Sequence, residues 1–156
     1  MLLLVDAANG FTNLSRYSML WTARHRCPHL ATYLFNCYRH QIRLICRQPG
    51  GEPEIILSRE GVTQGDPLAM VLYGIALLPL AEALRHEFPD VLQPWYADDA
   101  AMQGPLALVA ACFKLLCKLG PMFGYYSESE KSFAICPLAV EQEVKDVFTA
   151  EAMALV

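Results

Sequence analysis

The chain has 156 residues, enough for one domain with a substantial core. Its 54% hydrophobic and 18% charged composition excludes a disordered segment, and the apolar share is high enough that part of the surface is expected to be covered by something else. A net charge of −4 argues against tight phosphate binding by the chain as a whole, and leaves any nucleic-acid role to local basic patches.

In chain order, Met1 to Val5 is an apolar run ending in Asp6 and reads as a buried strand. Because it opens in mid-strand, the chain is expected to be a piece of a longer one. Ala7 to Asn13 is small and polar around Phe11, as at a strand end turning into a helix. Ser15 can cap a helix to about Arg26, and Pro28 can start a second one to about His40. Gln41 to Gln48 alternates, with Ile42, Leu44 and Cys46 on one face and Arg43, Ile45 and Arg47 on the other. Pro49-Gly50-Gly51-Glu52 is a turn signal, and Glu54 to Ser58 is the returning strand of a hairpin. Arg39, Arg43 and Arg47 read as a solvated face rather than a nucleic-acid contact.

Arg59 to Asp66 is a glycine-containing loop, after which Asp66 and Pro67 fit the N-cap and first position of a helix running to about His86. Pro79 is a kink point within it. Leu106 to Leu119 has helical periodicity with a stop expected at Gly120-Pro121. Ser132 to Cys136 reads as a strand and Val140 to Met153 as a final helix. The resulting class is α+β, with helices packed on one face of a mostly antiparallel sheet.

The six cysteines show no C-x-x-C pairing and no zinc-ligand spacing with the four histidines. They are expected to be buried thiols of an intracellular, reducing compartment. The longest uncharged run, Pro67 to Ala81, is shorter than a bilayer span, and no membrane segment is read.

Between Leu92 and Gly104 lies Trp95-Tyr96-Ala97-Asp98-Asp99-Ala100, two carboxylates after an aromatic pair. Neighbours in a regular strand point to opposite faces, so both acids can serve one site only at a turn. Adjacent carboxylates with no lysine or arginine beside them repel, and they call for a metal ion or a shared proton. An exposed acidic turn is the plainer alternative.

Four separated segments carry a family resemblance: Asp6-Ala7-Ala8-Asn9-Gly10-Phe11, Arg59 through Gln64-Gly65-Asp66-Pro67-Leu68, Tyr96-Ala97-Asp98-Asp99, and Gly124 through Lys131-Ser132. In identity, order and spacing they resemble the palm domain of reverse transcriptases, most closely those of non-LTR retrotransposons and group II introns, from Leu3 to about Ile135. The resemblance implies a polymerase palm spanning residues 1–156 as a single, incomplete domain, with fingers and thumb largely missing. It also implies RNA-directed DNA synthesis by two-metal nucleotidyl transfer, using Mg²⁺ or Mn²⁺, an RNA template, a DNA primer and deoxynucleoside triphosphates.

By the same resemblance, Asp6 and Asp98 bridge the metals and Asp99 is the less direct acid. Lys131 lies near the nucleotide phosphates, where it can protonate the leaving pyrophosphate. Phe11 is a steric gate against a ribose 2′-OH. Gln64 and Gly65 pack against the incoming nucleotide and the template base, and Tyr96 contacts substrate. The chain departs from the family pattern at Gly10, Thr12, Ala69-Met70 and Glu128, none of them an expected metal ligand. Two competing readings are an RNA-dependent RNA polymerase, against which Tyr96-Ala97 and Phe11 argue, and an inactive remnant or nucleic-acid-binding module.

Overall fold

Alternation along the first strand sets the architecture. In β1 (Leu2–Ala7), Leu3, Val5 and Ala7 are buried, while Leu4 and Asp6 point to the opposite face. The computed structural model describes residues 1–63, 65–148 and, as backbone, 154–155. Within it β1 is the centre of a five-stranded sheet with β4 (Trp95–Tyr96), β5 (Asp99–Gln103), β6 (Ser127–Ile135) and β7 (Ala154–Leu155) in the order β4-β5-β1-β6-β7. Neighbours are antiparallel except β6 and β7.

The helices are α1 (Gly10–Asn13), α2 (Arg16–Arg26), α3 (Pro28–Tyr38), α4 (Ala69–Glu87), α5 (Leu106–Phe123) and α6 (Glu141–Phe148). Their buried residues, among them Leu72, Leu80, Phe113 and Phe148, form one core with Leu3, Val5, Met102 and Ala134 of the sheet. The other face of the sheet stays open, with Leu4 and Phe133 each 38% exposed. This is the expected α+β arrangement, with the helices on one face.

Several boundaries differ from the sequence expectation. Helix α5 runs through Gly120 and Pro121 and stops at Gly124, where the Tyr125 N–H bonds the Gly120 carbonyl and the Gly124 N–H bonds Pro121, a Schellman closure. Gly120 is needed for a different reason than a stop: a Cβ there would lie 2.5 Å from the Tyr125 carbonyl oxygen. Helix α4 begins at Ala69 rather than Pro67, because Asp66 closes a preceding turn by accepting from the Leu68 N–H at 2.8 Å. Strand β6 is nine residues long rather than five. The last described helix ends at Phe148, and residues 149–153 of the expected helix lie outside the described residues.

The hairpin of β2 (Ile42–Cys46) and β3 (Glu54–Ser58) forms a separate two-stranded sheet. Alternation there does not mean a half-buried face: Leu44, Ile45, Ile55, Ile56 and Leu57 are all exposed. None of the six cysteines is in a disulfide, but only Cys112 is fully buried, which pushes its pKa up to about 11, and Cys37 and Cys46 are exposed. Helices α4 and α5 are long and apolar enough by composition to cross a membrane. Each carries one face into the core, which is cause enough for that composition.

Gly124 has φ +77, and a Cβ there would fall 2.0 Å from the Asn13 carbonyl oxygen, so the end of α5 docks directly on the α1–α2 junction. Gly50 has a similar φ of +76 with open space around it. Gly124→Ala should therefore cost about 1–3 kcal/mol more than Gly50→Ala in urea unfolding. Equal losses would show that the docking contributes nothing.

Candidate active site

The register between β1 and β6 breaks next to the first acid. Leu4 pairs with Phe133, but Asp6 pairs with Glu128, so residues 129–131 bulge out of β6. Buried Ser132 repairs the break. Its Oγ accepts from the Asp6 N–H at 3.2 Å and donates to the Glu128 carbonyl at 2.7 Å. The bulge carries Lys131, whose Nζ lies 3.7 Å from Asp6 Oδ2. The expected strand begins at Ser132, one residue after Lys131, whereas the structure places Lys131 within β6.

On the other side of β1 the paired register ends at Val5 and Ala100, the residues next to Asp6 and Asp99. Tyr96 pairs with Asp99 across a two-residue turn of Ala97 and Asp98. Ala97 has φ 53, the positive first centre of a type II′ turn, a position that favours glycine. The other described non-glycine residue with positive φ is Asn9, at 48, three residues beyond Asp6. Both strained positions flank the carboxylates.

Asp6, Asp99 and Lys131 line one open groove of about 650 Å³ on the uncovered face of the sheet, with Leu4, Trp95 and Phe133. Asp98 packs against Gly10 instead. A Cβ on Gly10 would come 2.9 Å from the Asp98 Cβ and 2.7 Å from the Tyr73 hydroxyl. The departure at Gly10 thus has a packing cause: it lets α1, α4 and the acidic turn close on one another.

Tyr73 was not singled out from the sequence, where it looks like any aromatic on an apolar helix. Its hydroxyl is buried and has no hydrogen-bond partner among the described residues. Burial first, then Asp98, Asp6 and Asp99, raise its pKa well above that of an ordinary phenol. Tyr125 is raised in the same way, chiefly by burial, and its hydroxyl donates to the Val5 carbonyl at 3.2 Å. Burial, then Asp98 and Asp6, push the Asp99 carboxyl above its ordinary value. Three acids therefore share one field.

Phe11 lies beside this cluster, its ring 4.9 Å from that of Tyr73. The loop after β3 is tied to it: the Val62 N–H bonds the Phe11 carbonyl and the Gly61 N–H bonds that of Leu14, each at 2.8 Å. Buried Arg16 fixes the same loop, donating to the carbonyls of Gly61 at 2.8 Å and Ser58 at 3.1 Å. Further along, the Tyr38 hydroxyl donates to Asp66 at 2.7 Å. That bond, with the one from Leu68, lowers the Asp66 pKa, and burial together with Asp66 pushes Tyr38 up to about 12. Gly65 has φ +94 with nothing near its Cα, so its backbone requires glycine whether or not anything approaches it. Gln64 lies outside the described residues. Tyr96 is 76% exposed beside the groove.

The acids at this site are hard oxygen donors of the kind Mg²⁺ takes. Among the described residues no group of three or more metal-ligating side chains surrounds a point, and Asp99 does not join Asp6 and Asp98 in such a group. What this donor set fits is an ion held by one or two carboxylates, completed by phosphate and water.

No family model and no curated protein matches the chain. Among solved structures it is similar to telomerase from Candida albicans, in complex with a TWJ fragment of telomeric RNA, with a TM-score of 0.66 at 12% identity. The likeness is one of fold. It covers 88% of this chain and 28% of the telomerase chain, so the chain spans under a third of that protein's length.

Ser132→Ala should lower stability by about 1–3 kcal/mol, the cost of leaving a buried amide and carbonyl unpaired, whereas Ser129→Ala in the bulge should cost little. Indistinguishable thermal unfolding of the two variants would refute this role for Ser132. For Asp99 the raised pKa has a definite sign. The folded state binds the proton more tightly, so ionisation costs stability as pH rises through the ordinary carboxylate value, and the full cost holds above the raised one. Asp99→Asn should be more stable than wild type near neutral pH, by under about 1 kcal/mol for a largely exposed group. The gain should vanish below about pH 3. A gain independent of pH would contradict the shift.

Proposed function

We propose that this chain is the palm of an RNA-directed DNA polymerase of retroelement type, which joins deoxynucleotides to a DNA primer on an RNA template. The observation that carries this reading is the placement of Asp6, in the middle strand of the sheet, against the Tyr96–Asp99 turn. The likeness in fold to a telomerase solved with RNA supports it, as do the four motif segments.

In this reading Asp6 and Asp98 hold the divalent ions and Asp99 maintains the negative field that draws them in. The ions, Mg²⁺ or Mn²⁺, would activate the primer 3′-oxygen and stabilise the leaving pyrophosphate. Lys131, whose side chain is 69% exposed, has room to leave Asp6 for a triphosphate and give a proton to the departing oxygen. Phe11, held between Tyr73 and the loop at Val62, closes the space a 2′-hydroxyl would take. The open face of the sheet, with Tyr96 at its rim, receives the primer–template. Because the chain corresponds to 28% of the telomerase chain, grip on the duplex and on the triphosphate would come from further fingers and thumb segments.

Primer extension with Mg²⁺, on the 156-residue chain and on a version extended by its flanking coding sequence, tests the reading. Template-directed deoxynucleotide incorporation is expected at least in the extended chain, with a loss of about 100-fold or more in Asp98→Asn. Phe11→Ala should admit ribonucleotides. An extended, folded chain that incorporates nothing would favour a nucleic-acid-binding domain without turnover.

A further inference from the structure

The net charge of −4 conceals a sharp segregation. From Ala7 to Gly51 the chain carries six arginines, three histidines and no carboxylate, so the remaining residues hold all 16 acidic side chains against six basic ones. Arg16 is buried in its loop contacts and Arg26 pairs with Glu82. Arg39, Arg43 and Arg47, by contrast, make no ion pair among the described residues, and all three are exposed. They read as a solvated face in the sequence. The structure gathers them. Arg39 and Arg43 line one groove with His40 and Leu57 where α3 meets the hairpin. Arg47 follows directly after β2, four residues and about 13 Å beyond Arg43, beside Cys46, which pairs with Glu54. Arg39 sits over the ring of Phe35, 5.3 Å from its centroid, and that ring is half exposed.

We propose that this basic ribbon binds single-stranded RNA through its phosphates, at a place separate from the carboxylate site. Cations spaced along an extended element, with an exposed aromatic beside them, match a single-stranded polyanion whose bases can stack. The groove at Arg39 and Arg43 is lined by no carboxylate, so it is positive locally even though the chain as a whole is negative. The choice of RNA rests on the template proposed above. The electrostatics do not depend on that reading.

The test is fluorescence anisotropy with labelled oligouridine in EDTA across a salt series, so that loss of catalysis cannot mimic loss of binding. Replacing Arg39, Arg43 and Arg47 with Gln should weaken binding about tenfold or more. It should also reduce the slope of log affinity against log salt by about 2, at roughly 0.7 per phosphate contact. The three Lys replacements should retain most of the binding. Removing Lys114 and Lys118 from α5 controls for charge in general. The proposal is overturned if the Gln variant binds like wild type, or if the α5 variant loses as much. It is equally overturned if the arginine changes abolish binding to acidic phospholipid vesicles but spare oligouridine.

Discussion

The structure depends on one constraint: β1 is the middle strand, hydrogen-bonded on both sides, and its side chains alternate. Burial of Leu3, Val5 and Ala7 against the helices leaves no choice for Asp6, which must emerge on the open face. Pairing on both edges then determines its neighbours: Glu128 lies across the β6 ladder, and Asp99, next to the Ala100 that pairs with Val5, lines the same groove. Like charges set opposite each other destabilise a sheet. The β6 bulge answers this by carrying Lys131 back toward Asp6, with Ser132 stitching the interrupted ladder.

The cost of this arrangement is spread over the surroundings rather than held in any one residue. Ala97 adopts a backbone conformation that suits glycine, and the buried Tyr73 hydroxyl stands beside three acids with no hydrogen-bond partner among the described residues. Gly10 gives up its side chain so that Asp98 and Tyr73 can approach. Each feature disfavours the isolated fold slightly, and together they concentrate negative charge at one end of the sheet. Such a site suits a ligand that brings positive charge with it.

The loop after β3 shows how the chain secures a segment that has no core of its own. Backbone bonds to Phe11 and Leu14 and the guanidinium of Arg16 hold its first half, while Tyr38 and Leu68 hold Asp66 at its end. The same buried arginine sits over the Tyr38 ring, 5.5 Å from its centroid, so the two anchors are joined.

Periodicity and punctuation made the order of elements, the acidic turn and the caps at Ser15 and Pro28 legible in the sequence, because these are local properties of strands, helices and turns. The choice of Asp6, Asp98, Asp99 and Lys131 as site residues came instead from the resemblance carried by the four motif segments. Helix α5 overran its expected stop because Gly120 serves a contact with Tyr125, a residue beyond the end of the helix. Tyr73, Ser132 and Arg16 gave no signal, since a buried tyrosine, serine or arginine acquires its role only from the elements packed around it. The sequence by itself determined which carboxylates exist and that a turn presents two of them. Tertiary structure alone decided that Asp6 and Asp99 line one groove, that Asp98 turns toward Gly10 and that Lys131 returns from a bulge. Register and bulges are relations between strands, and no single stretch of chain encodes them.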